Sequence, residues 1–260
     1  MTRLTEPARL REFWDARYSE FSLSESGWMG APHGLNDRIY ACKRHALRRA
    51  IDAAGFARDG GWSVLDAGCG QGHFARFYCD EYPHSRYVGV DISARAVDYL
   101  QRTIPEAEFF AADLCAWRDP GGRTFDIVQS VEVLHLILDD DAVRRALANF
   151  GSLLSRGGAL FVTAAMPDHT VEISGYLRFR SREFWHGAIA AAGLRVASDR
   201  PMYYWLPSGG PRNKYARYAL TRLGPATLYA LDRIAFGLAL PRPTSITIDS
   251  RMRLLTLQRA

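Results

Sequence analysis

The stretch Asp66-Ala67-Gly68-Cys69-Gly70-Gln71-Gly72 decides how the rest of this chain is interpreted. It follows the apolar run Trp62–Leu65 and precedes an amphipathic segment, so it is predicted to form the turn between a strand and a helix. Glycines in such a turn let the backbone approach a ligand closely, and the helix presents unpaired N–H groups. A carboxylate at the mouth of the loop would repel a pyrophosphate and attract an ammonium or sulfonium group. Asp66 therefore indicates a cationic ligand rather than a dinucleotide.

The composition suits one elaborated domain with a full core, since 48% of the 260 residues are hydrophobic. The net charge is +5, but the 31 arginines and two lysines form no basic block, so nucleic-acid binding is not expected. The sequence contains no run of 18 or more uncharged apolar residues, so no transmembrane helix is predicted. The first residues lack a signal-peptide core, and the four cysteines show no metal-type pairing, so a reducing, cytoplasmic location is expected.

Short apolar runs alternate with amphipathic segments between Trp62 and Thr163, which is typical of βαβ units on a parallel sheet. The candidate strands are Ser63–Asp66, Tyr87–Asp91, Glu108–Ala111, Phe125–Ser130 and Ala159–Ala164. The candidate helices begin near Gly72, Ser93 and Asp140. Ser93 is expected to cap the second helix and the acidic run from Asp139 the third. Gly157-Gly158 is predicted to end that third helix.

The predicted domain organisation is a helical lid over residues 1–60 and an α/β core over 61–260 that contains a helical cap insertion at 208–243. Helices are also predicted at Leu10–Tyr18, Asn36–Ala53 and Ser181–Ala192, and strands at Leu194–Ala197 and Ser250–Gln258. The insertion is bounded by Pro/Gly-rich joints, and its apolar residues could form a cap over the substrate mouth or the face of a homodimer.

Five motifs in order resemble those of class I S-adenosylmethionine-dependent methyltransferases, small-molecule type. They are Val64–Gly72, Val88–Ser93, Phe109–Leu114, Phe125–His135 and Leu153–Gly158. The third glycine falls at Gly72, one position earlier than a dinucleotide fingerprint requires, and His73 takes the expected place. The resemblance implies a Rossmann-like, mostly parallel seven-stranded α/β sheet with helices on both faces. It also implies S-adenosyl-L-methionine as cofactor and S-adenosyl-L-homocysteine as product.

The resemblance assigns cofactor contacts to several residues. Asp66 and Gly68 would line the methionine end, and Asp91 would accept hydrogen bonds from the ribose hydroxyls. Asp113 would accept from the adenine amino group, while the Leu114 N–H donates to the ring. The remaining expected contacts are Gly70, Ile92, Ser130 and Tyr18, the last on the aromatic lid. A strand-terminal aspartate is also a common helix cap, and the lid aromatics could equally pack a helix onto the core.

Methyl transfer needs alignment of the nucleophile with the methyl group and, for a protonated nucleophile, removal of a proton. His135, just after the fourth predicted strand, is the best candidate for the base, although it could instead pack the segment. Glu132 could orient His135 or face the substrate, and His169 is a second candidate that could equally be an exposed turn. In some quinone O-methyltransferases of the family that this chain resembles, acidic and His residues at this point bind a divalent metal. Leu136 follows His135 here, so the cluster would be incomplete and no required metal is expected.

A further set of basic residues could bind an anionic acceptor. Arg178, Arg180 and Arg182 alternate along a predicted extended stretch, so they would share one face. Arg212, Lys214 and Arg217 could join them to hold a carboxylate or phosphate. The alternative is a solvated surface.

The resulting functional hypothesis is methyl transfer to a small-molecule acceptor, with the hydroxyl oxygen of a secondary metabolite, sugar or lipid-like precursor as the first choice. The first alternative is C- or N-methylation of a small anionic or prenyl-type substrate. The second is an RNA or protein methyltransferase, which the positive charge permits. A cofactor-binding scaffold without catalysis is the remaining alternative, and the joint presence of Asp66, Gly68, Asp91 and Asp113 argues against it.

Overall fold

The structure, a computed structural model, describes most of the chain. The described residues are 6–22, 25, 27, 35–173, 175–202, 227, 230, 231, 233, 234, 238 and 252–260. Most of the predicted cap insertion at 208–243 lies outside them, as do Arg212, Lys214 and Arg217.

Helices and strands alternate through the centre of the chain. The described helices are α1 (Glu6–Arg17), α2 (Leu35–Ala53), α3 (His73–Glu81), α4 (Ala94–Thr103), α5 (Asp140–Leu153) and α6 (Arg182–Ala191), with a short 3-10 helix at Leu134–Leu136. The described strands are β1 (Ser63–Ala67), β2 (Arg86–Asp91), β3 (Glu108–Ala111), β4 (Phe125–Ser130), β5 (Leu154–Ala165), β6 (Val171–Ile173), β7 (Leu177–Phe179), β8 (Leu194–Pro201) and β9 (Met252–Arg259).

Within the described ranges, seven strands form one sheet in the order β3-β2-β1-β4-β5-β9-β8. Neighbours from β3 to β5 are parallel, whereas β9 pairs antiparallel with β5 and with β8. The predicted Rossmann-like, mostly parallel α/β sheet is therefore confirmed. The strand order reverses between β1 and β4, and open sheets of this kind bind ligands at the carboxyl ends of their strands beside such a reversal.

Both faces of the sheet are buried, which explains why the central strands are almost continuously apolar. Alternate side chains of one strand point to opposite faces. Val64 and Ile127 belong to a core that also contains apolar residues of α2, α3 and α4. Their neighbours Leu65 and Val128 belong to a second core with α5 and α6. The helices therefore cover the sheet on both sides, and the carboxyl-end loops of the strands are left to form a site.

Two helix starts follow from local sequence, as predicted. The Ser93 hydroxyl accepts a hydrogen bond from the Ala96 N–H at 3.1 Å and caps α4. Asp139 accepts from the Asp141 N–H at 2.9 Å and caps α5. Such caps satisfy N–H groups that the first turn of a helix leaves unpaired.

The predicted role of Gly157-Gly158 as the end of the third core helix is wrong. That helix, α5, ends at Leu153, and β5 runs through both glycines. A side chain at Gly158 would bring its Cβ to 2.9 Å from the carbonyl oxygen of Asp126 on β4, so glycine permits the close approach of the two strands. Gly158 thus serves strand pairing rather than helix termination.

Helix α1 docks on the turn between β2 and α4. The Asp15 carboxylate accepts hydrogen bonds from the Ser93 hydroxyl at 2.6 Å and from the Arg95 N–H at 3.2 Å. Arg11 Nε donates to the carbonyl of Ile92 at 3.3 Å. The helix therefore lies beside the carboxyl end of β2. No helix among the described residues is long and apolar enough to cross a membrane.

Candidate active site

The glycine loop after β1 is shaped by backbone conformations that favour glycine. Gly68, Gly70 and Gly72 have φ angles of +92°, +52° and +75°. A Cβ on Gly68 would lie 2.3 Å from a Val133 methyl group, so any side chain there would collide with the segment that leaves β4. The Gly68 N–H donates to the Val90 carbonyl at 2.7 Å, which ties the loop to the end of β2. This hydrogen bond holds the glycine loop beside the carboxyl ends of β1 and β2.

Asp91 lies at the carboxyl end of β2, and its side chain binds the glycine loop. Its carboxylate accepts from the Gly70 N–H at 2.8 Å and from the Ser93 N–H at 2.9 Å. Burial raises the pKa of Asp91, and backbone hydrogen bonds from Ser93, Gly70 and Ile92 oppose that change. A carboxylate can accept about four hydrogen bonds, so the backbone does not use the full acceptor capacity of Asp91.

A cavity of about 680 Å³ opens above these loops. Its walls come from α1, α2, the glycine loop, the ends of β2 to β4 and the β6–β7 hairpin. Nine of the residues singled out from the sequence line it, namely Tyr18, Gly68, Gly70, Asp91, Ile92, Asp113, Leu114, Glu132 and His135. The cavity therefore brings the expected cofactor contacts and the two nearer candidate catalytic residues to one place.

Asp66 does not line this cavity. It is 1% exposed, and its carboxylate accepts a hydrogen bond from the Tyr87 hydroxyl at 2.5 Å beneath the glycine loop. Burial raises the pKa of Asp66 to about 6. The sequence placed this carboxylate at the mouth of the loop, but the structure places it behind the loop, because the Asp66 side chain turns into the core between β1 and the neighbouring strands.

Two more predicted site residues lie outside the cavity. Ser130 is fully buried, and its hydroxyl donates to the Ala67 carbonyl at 3.0 Å, so it bridges β4 and β1 instead of facing a ligand. His169 is exposed on the connection after β5. The next residue, Thr170, accepts a hydrogen bond from the Ser181 N–H at 3.1 Å. The structure thus places His169 in the exposed turn that was the alternative interpretation.

The end of the cavity at β3 carries Asp113 and Leu114. The Asp113 side chain accepts from the Cys115 N–H at 2.9 Å, which fixes the turn after β3. The Leu114 carbonyl accepts from the Asn149 side chain at 2.9 Å, so α5 holds the same turn from behind. Asp113 therefore stabilises the turn after β3 and also lines the cavity.

Tyr18 covers the glycine loop from the end of α1. It is 4% exposed, and its ring stacks on Trp14 with centroids 5.3 Å apart. A Cβ on Gly70 would lie 3.1 Å from the Tyr18 hydroxyl, so glycine at this position admits the aromatic cover. Burial, followed by the nearby Asp91 carboxylate, raises the pKa of Tyr18 and keeps its phenol protonated. An electron-rich ring over the loop can also attract a ligand cation.

Glu132 adopts a backbone conformation that is uncommon for a residue with a side chain. Its φ is +63°, and its N–H donates to the buried Thr163 hydroxyl at 2.6 Å. One carboxylate oxygen, Oε2, lies 3.5 Å from Lys43 Nζ, whereas Oε1 is buried without a hydrogen-bond partner. Left-handed conformations of non-glycine residues concentrate at functional sites because the surrounding fold must hold them.

His135 lies on the short 3-10 helix that follows Glu132. Its ring stacks on Phe179 of β7 at 5.4 Å, and its Nδ1 is buried without a hydrogen-bond partner. Burial lowers the pKa of His135, although Glu132 opposes this, so the imidazole is neutral near pH 7. A neutral imidazole with an unused nitrogen can take up a proton. The predicted packing role and the predicted base role are thus compatible in this structure.

Lys43 is a cavity residue that the sequence interpretation missed. It comes from α2, its side chain is 6% exposed, and its ammonium group lies 4.7 Å from the centre of the Tyr40 ring. The chain has 31 arginines and only two lysines, so a lysine on the apolar side of a helix could have been singled out. Its partner Glu132 lies on another element and could not be deduced from spacing.

His73 also lines the cavity at the start of α3. Arg44 lies within hydrogen-bond distance of its Nε2, at 2.5 Å. Burial and then the nearby Arg44 and Lys43 charges lower the pKa of His73 to about 3, so it is neutral and can accept a hydrogen bond from Arg44. The residue that departs from the dinucleotide glycine pattern therefore has a packing and hydrogen-bonding role of its own.

The predicted anion-binding role of Arg178 and Arg180 is not supported. Both guanidinium groups share Asp140, at 3.2 Å and 2.8 Å, as the predicted common face implies. Arg180 is 1% exposed and donates to the carbonyls of Leu134 at 3.2 Å and Ile137 at 2.8 Å. Neither residue lines the cavity. Arg180 therefore stabilises the segment that carries His135 by hydrogen bonds to its backbone.

No group of three His, Cys, Asp or Glu side chains within the described ranges is arranged to hold a metal ion.

Residues 64–158 match the family model described as a methyltransferase domain. Over 143 residues the chain is 29% identical to the trans-aconitate 2-methyltransferase of Azoarcus sp. (strain BH72), which covers 55% of this chain and 53% of that protein. The chain spans about half the length, or less, of the curated relatives it matches first.

Solved structures that share the fold include the following two methyltransferases. A S-adenosylmethionine-dependent methyltransferase from Leishmania major superposes with a TM-score of 0.65 at 14% identity, covering 97% of this chain and 83% of that one. The 1,6-didemethyltoxoflavin-N1-methyltransferase of Burkholderia thailandensis, solved with 1,6-didemethyltoxoflavin and S-adenosylhomocysteine, gives a TM-score of 0.60 at 16% identity, covering 100% and 92%. At such identities the likeness concerns the fold.

Proposed function

We propose that this chain, which by fold and matched domain is a class I S-adenosylmethionine-dependent methyltransferase, methylates a hydroxyl oxygen of a small molecule. The observation that carries the proposal is one cavity whose wall combines two kinds of residue. The glycine loop and Asp91 line it together with Glu132 and His135, which follow β4.

The part of the cavity wall at the glycine loop fits S-adenosylmethionine. Asp91 keeps acceptor capacity for the ribose hydroxyls, Asp113 and Leu114 form the wall for the adenine, and Tyr18 closes the loop. Among the described residues, four carboxylates line the cavity, those of Asp91, Asp113, Glu132 and Asp139, against three cations, those of Arg17, Lys43 and Arg145. This charge balance suits a cationic ligand. When bound, S-adenosylmethionine supplies a methyl carbon whose bond to sulfur breaks, with its electron pair, as the bond to the acceptor oxygen forms.

The residues that follow β4 supply proton removal and exclusion of water. His135 lines the cavity and is neutral, so its imidazole can accept the acceptor's proton as the oxygen is methylated. Aromatic and aliphatic side chains around it, such as Phe179 and Ile39, keep the site apolar. Arg180 holds the His135 segment in place from behind through its carbonyl contacts.

An anionic acceptor is the second candidate, because several relatives are named trans-aconitate 2-methyltransferases. Against it, the arginines predicted to bind an anion, Arg178 and Arg180, are already paired with Asp140 away from the cavity. Methylation of a hydroxyl therefore has the better support from the described residues.

The test is cofactor binding followed by product formation. Asp91→Asn should weaken S-adenosylhomocysteine binding about 10- to 100-fold, because hydrogen bonds to a charged acceptor contribute roughly 1.5–3 kcal/mol. Titration calorimetry measures the affinity, and the matched control is Asp98→Asn on the exposed side of α4. Wild-type protein that fails to bind S-adenosylmethionine or its product would overturn the proposal.

A further inference from the structure

Lys43 is a buried cation of the cavity that the proposed mechanism does not use. It lines the cavity from α2, and its side chain is 6% exposed. Two other cations among the described residues line the cavity. Arg145 has a side chain that is 61% exposed, and the partly buried Arg17 donates to the carbonyl of Glu25. Lys43 is therefore the most deeply buried of these three positive charges.

The contacts of Lys43 leave its ammonium group able to bind a ligand. An ammonium group carries three N–H donors. Nζ lies 3.5 Å from Glu132 Oε2, which is longer than the usual N–H···O distance of about 2.7–3.2 Å. It also lies 4.7 Å from the centre of the Tyr40 ring, whose face attracts the charge without accepting a conventional hydrogen bond. A ligand oxygen in the cavity could therefore accept from Lys43.

The side chains around Lys43 favour a negative charge on such an oxygen. His73 and His135 both line the cavity. Burial and then Arg44 and Lys43 lower the pKa of His73 to about 3, and burial lowers the pKa of His135, to which Lys43 also contributes. Both imidazoles are therefore neutral near pH 7. Lys43 and Arg44 remain as positive charges beside the Glu132 carboxylate, and a nearby cation favours the ionised form of an oxygen acid.

We propose that Lys43 is the acceptor-binding residue that holds the acceptor oxygen as an anion, and that the acceptor is a small molecule with an acidic hydroxyl group, such as a phenol or an enol. This inference rests on the proposed function and names its substrate class. The hydroxyl proton leaves to His135. The electron pair left on the oxygen forms the bond to the methyl carbon, while the bond from that carbon to sulfur breaks with its pair on sulfur.

The acidity of the acceptor follows from the strength of one charge. A single opposite charge nearby lowers a pKa by about 1–3 units. That shift brings a phenol, which titrates near 10 in water, within reach of neutral pH. An aliphatic alcohol is a much weaker acid and would stay protonated beside Lys43.

4-Nitrophenol tests the charge on the bound oxygen, because its phenolate absorbs visible light and the phenol does not. The probe is titrated over a pH range with protein saturated with S-adenosylhomocysteine. We expect the bound probe to titrate about one pH unit below the free probe, which means that the phenolate binds about 10-fold more tightly than the phenol. An unchanged or raised midpoint, or no binding at millimolar concentration, would overturn the inference.

Two further probes of similar shape test the acceptor class by calorimetry at pH 8. 4-Nitroaniline is uncharged and should bind about 10-fold more weakly than 4-nitrophenolate. Equal affinity would show that the site does not select an anion. 4-Nitrobenzoate carries a carboxylate instead of a hydroxyl group. If it binds more tightly than 4-nitrophenolate, a carboxylate is the better fit to Lys43 and the hydroxyl class is overturned.

Variants of the two paired residues should act in opposite directions. Lys43→Met should raise the midpoint of bound 4-nitrophenol to that of the free probe or above it, and Lys43→Arg should keep part of the shift. Glu132→Gln should lower the midpoint further, because it removes the carboxylate that repels the phenolate. If Lys43 were only the structural partner of Glu132, both variants would weaken binding alike, and that result would refute its role in binding the acceptor.

The double variant of Lys43→Met and Glu132→Gln removes the pair without leaving one buried charge alone. It should titrate the probe as Lys43→Met does. Arg38→Met, on the exposed side of α2, removes the same charge away from the cavity and should leave the midpoint unchanged. Calorimetry with S-adenosylhomocysteine on each sample separates the two proposals. Loss of that binding in the wild type overturns the function itself, whereas retained binding without the 4-nitrophenol shift overturns only the role of Lys43.

Discussion

The Asp66 carboxyl group is removed from solvent, and the Tyr87 hydroxyl donates to it at 2.5 Å. Burial raises the pKa of Asp66 to about 6, whereas an unfolded aspartate titrates near 3.9. The folded protein therefore holds this proton more tightly than the unfolded chain. The stability that the proton contributes is present below about pH 4 and is lost as the pH rises through about 6.

Asp66→Asn should imitate the protonated carboxyl group, because the amide oxygen can still accept from Tyr87. We expect the variant to exceed the wild type in free energy of unfolding at pH 8 by up to roughly 3 kcal/mol, the equivalent of two pKa units. At pH 4 the advantage should vanish. Urea unfolding at both pH values measures it, and a difference that is the same at both would contradict a buried, titrating Asp66.

Residues whose role depends on their immediate neighbours were predictable. Asp91 and Ser93 lie at the end of a strand and the start of a helix, so the sequence predicted the position of Asp91 and the capping role of Ser93. Asp66 was located correctly on the strand, but the direction of its side chain depends on Tyr87 of the adjacent strand. Lys43 was missed because its partner Glu132 comes from a distant part of the chain.

At the scale of elements, the 3-10 helix that carries His135 depends on Arg180. The guanidinium group donates to two carbonyls of that segment and pairs with Asp140 at 2.8 Å. A short 3-10 helix has few hydrogen bonds of its own. The buried arginine therefore replaces the partners that the segment lacks.

Arg180→Met should lower the free energy of unfolding by about 3–5 kcal/mol, because loss of one partner from a buried charge network leaves polar groups unsatisfied. Denaturant titration measures this. Arg178→Met is the matched control, since Arg178 pairs with the same Asp140 from a more exposed position, and it should cost about 1 kcal/mol or less. Equal losses in the two variants would show that burial does not distinguish them.

The central elements were predictable from alternating apolar and amphipathic segments, and β3 and β4 have the predicted bounds. The pattern did not predict that β5 begins at Leu154, because glycines next to a helix usually indicate its end. In this chain Gly158 allows close approach to the Asp126 carbonyl, a constraint that arises only once the strands pair.

For the molecule as a whole, the cavity joins α1, α2 and the ends of four strands, so a ligand there should stabilise all of them together. Saturating S-adenosylhomocysteine at about 100 times its dissociation constant should add roughly 2.7 kcal/mol to the free energy of unfolding. This corresponds to a rise of about 5–10 °C in Tm for a chain of this size. Differential scanning calorimetry measures the shift, and adenosine alone should give less. An unchanged Tm would contradict a ligand that bridges these elements.

Fold class and cavity position followed from the order of motifs, because parallel strands with right-handed crossovers leave little choice of topology. The pairing of charged side chains in and around the cavity could not be predicted from the sequence, since it depends on which charges lie together in three dimensions. Arg178 and Arg180 illustrate this, because their alternation was apparent but their common partner Asp140 was not.

The position of β9 between β5 and β8 has a consequence for biosynthesis. β5 ends at Ala165 and β9 begins at Met252, so a ribosome must translate the whole intervening segment before these two strands can pair. Until then the edge of β5 that later pairs with β9 has no neighbouring strand. This edge includes the apolar residues Leu160 and Val162. A nascent chain stalled before β9 would expose an unpaired strand flank, which is a common starting point for aggregation and a natural substrate for chaperones.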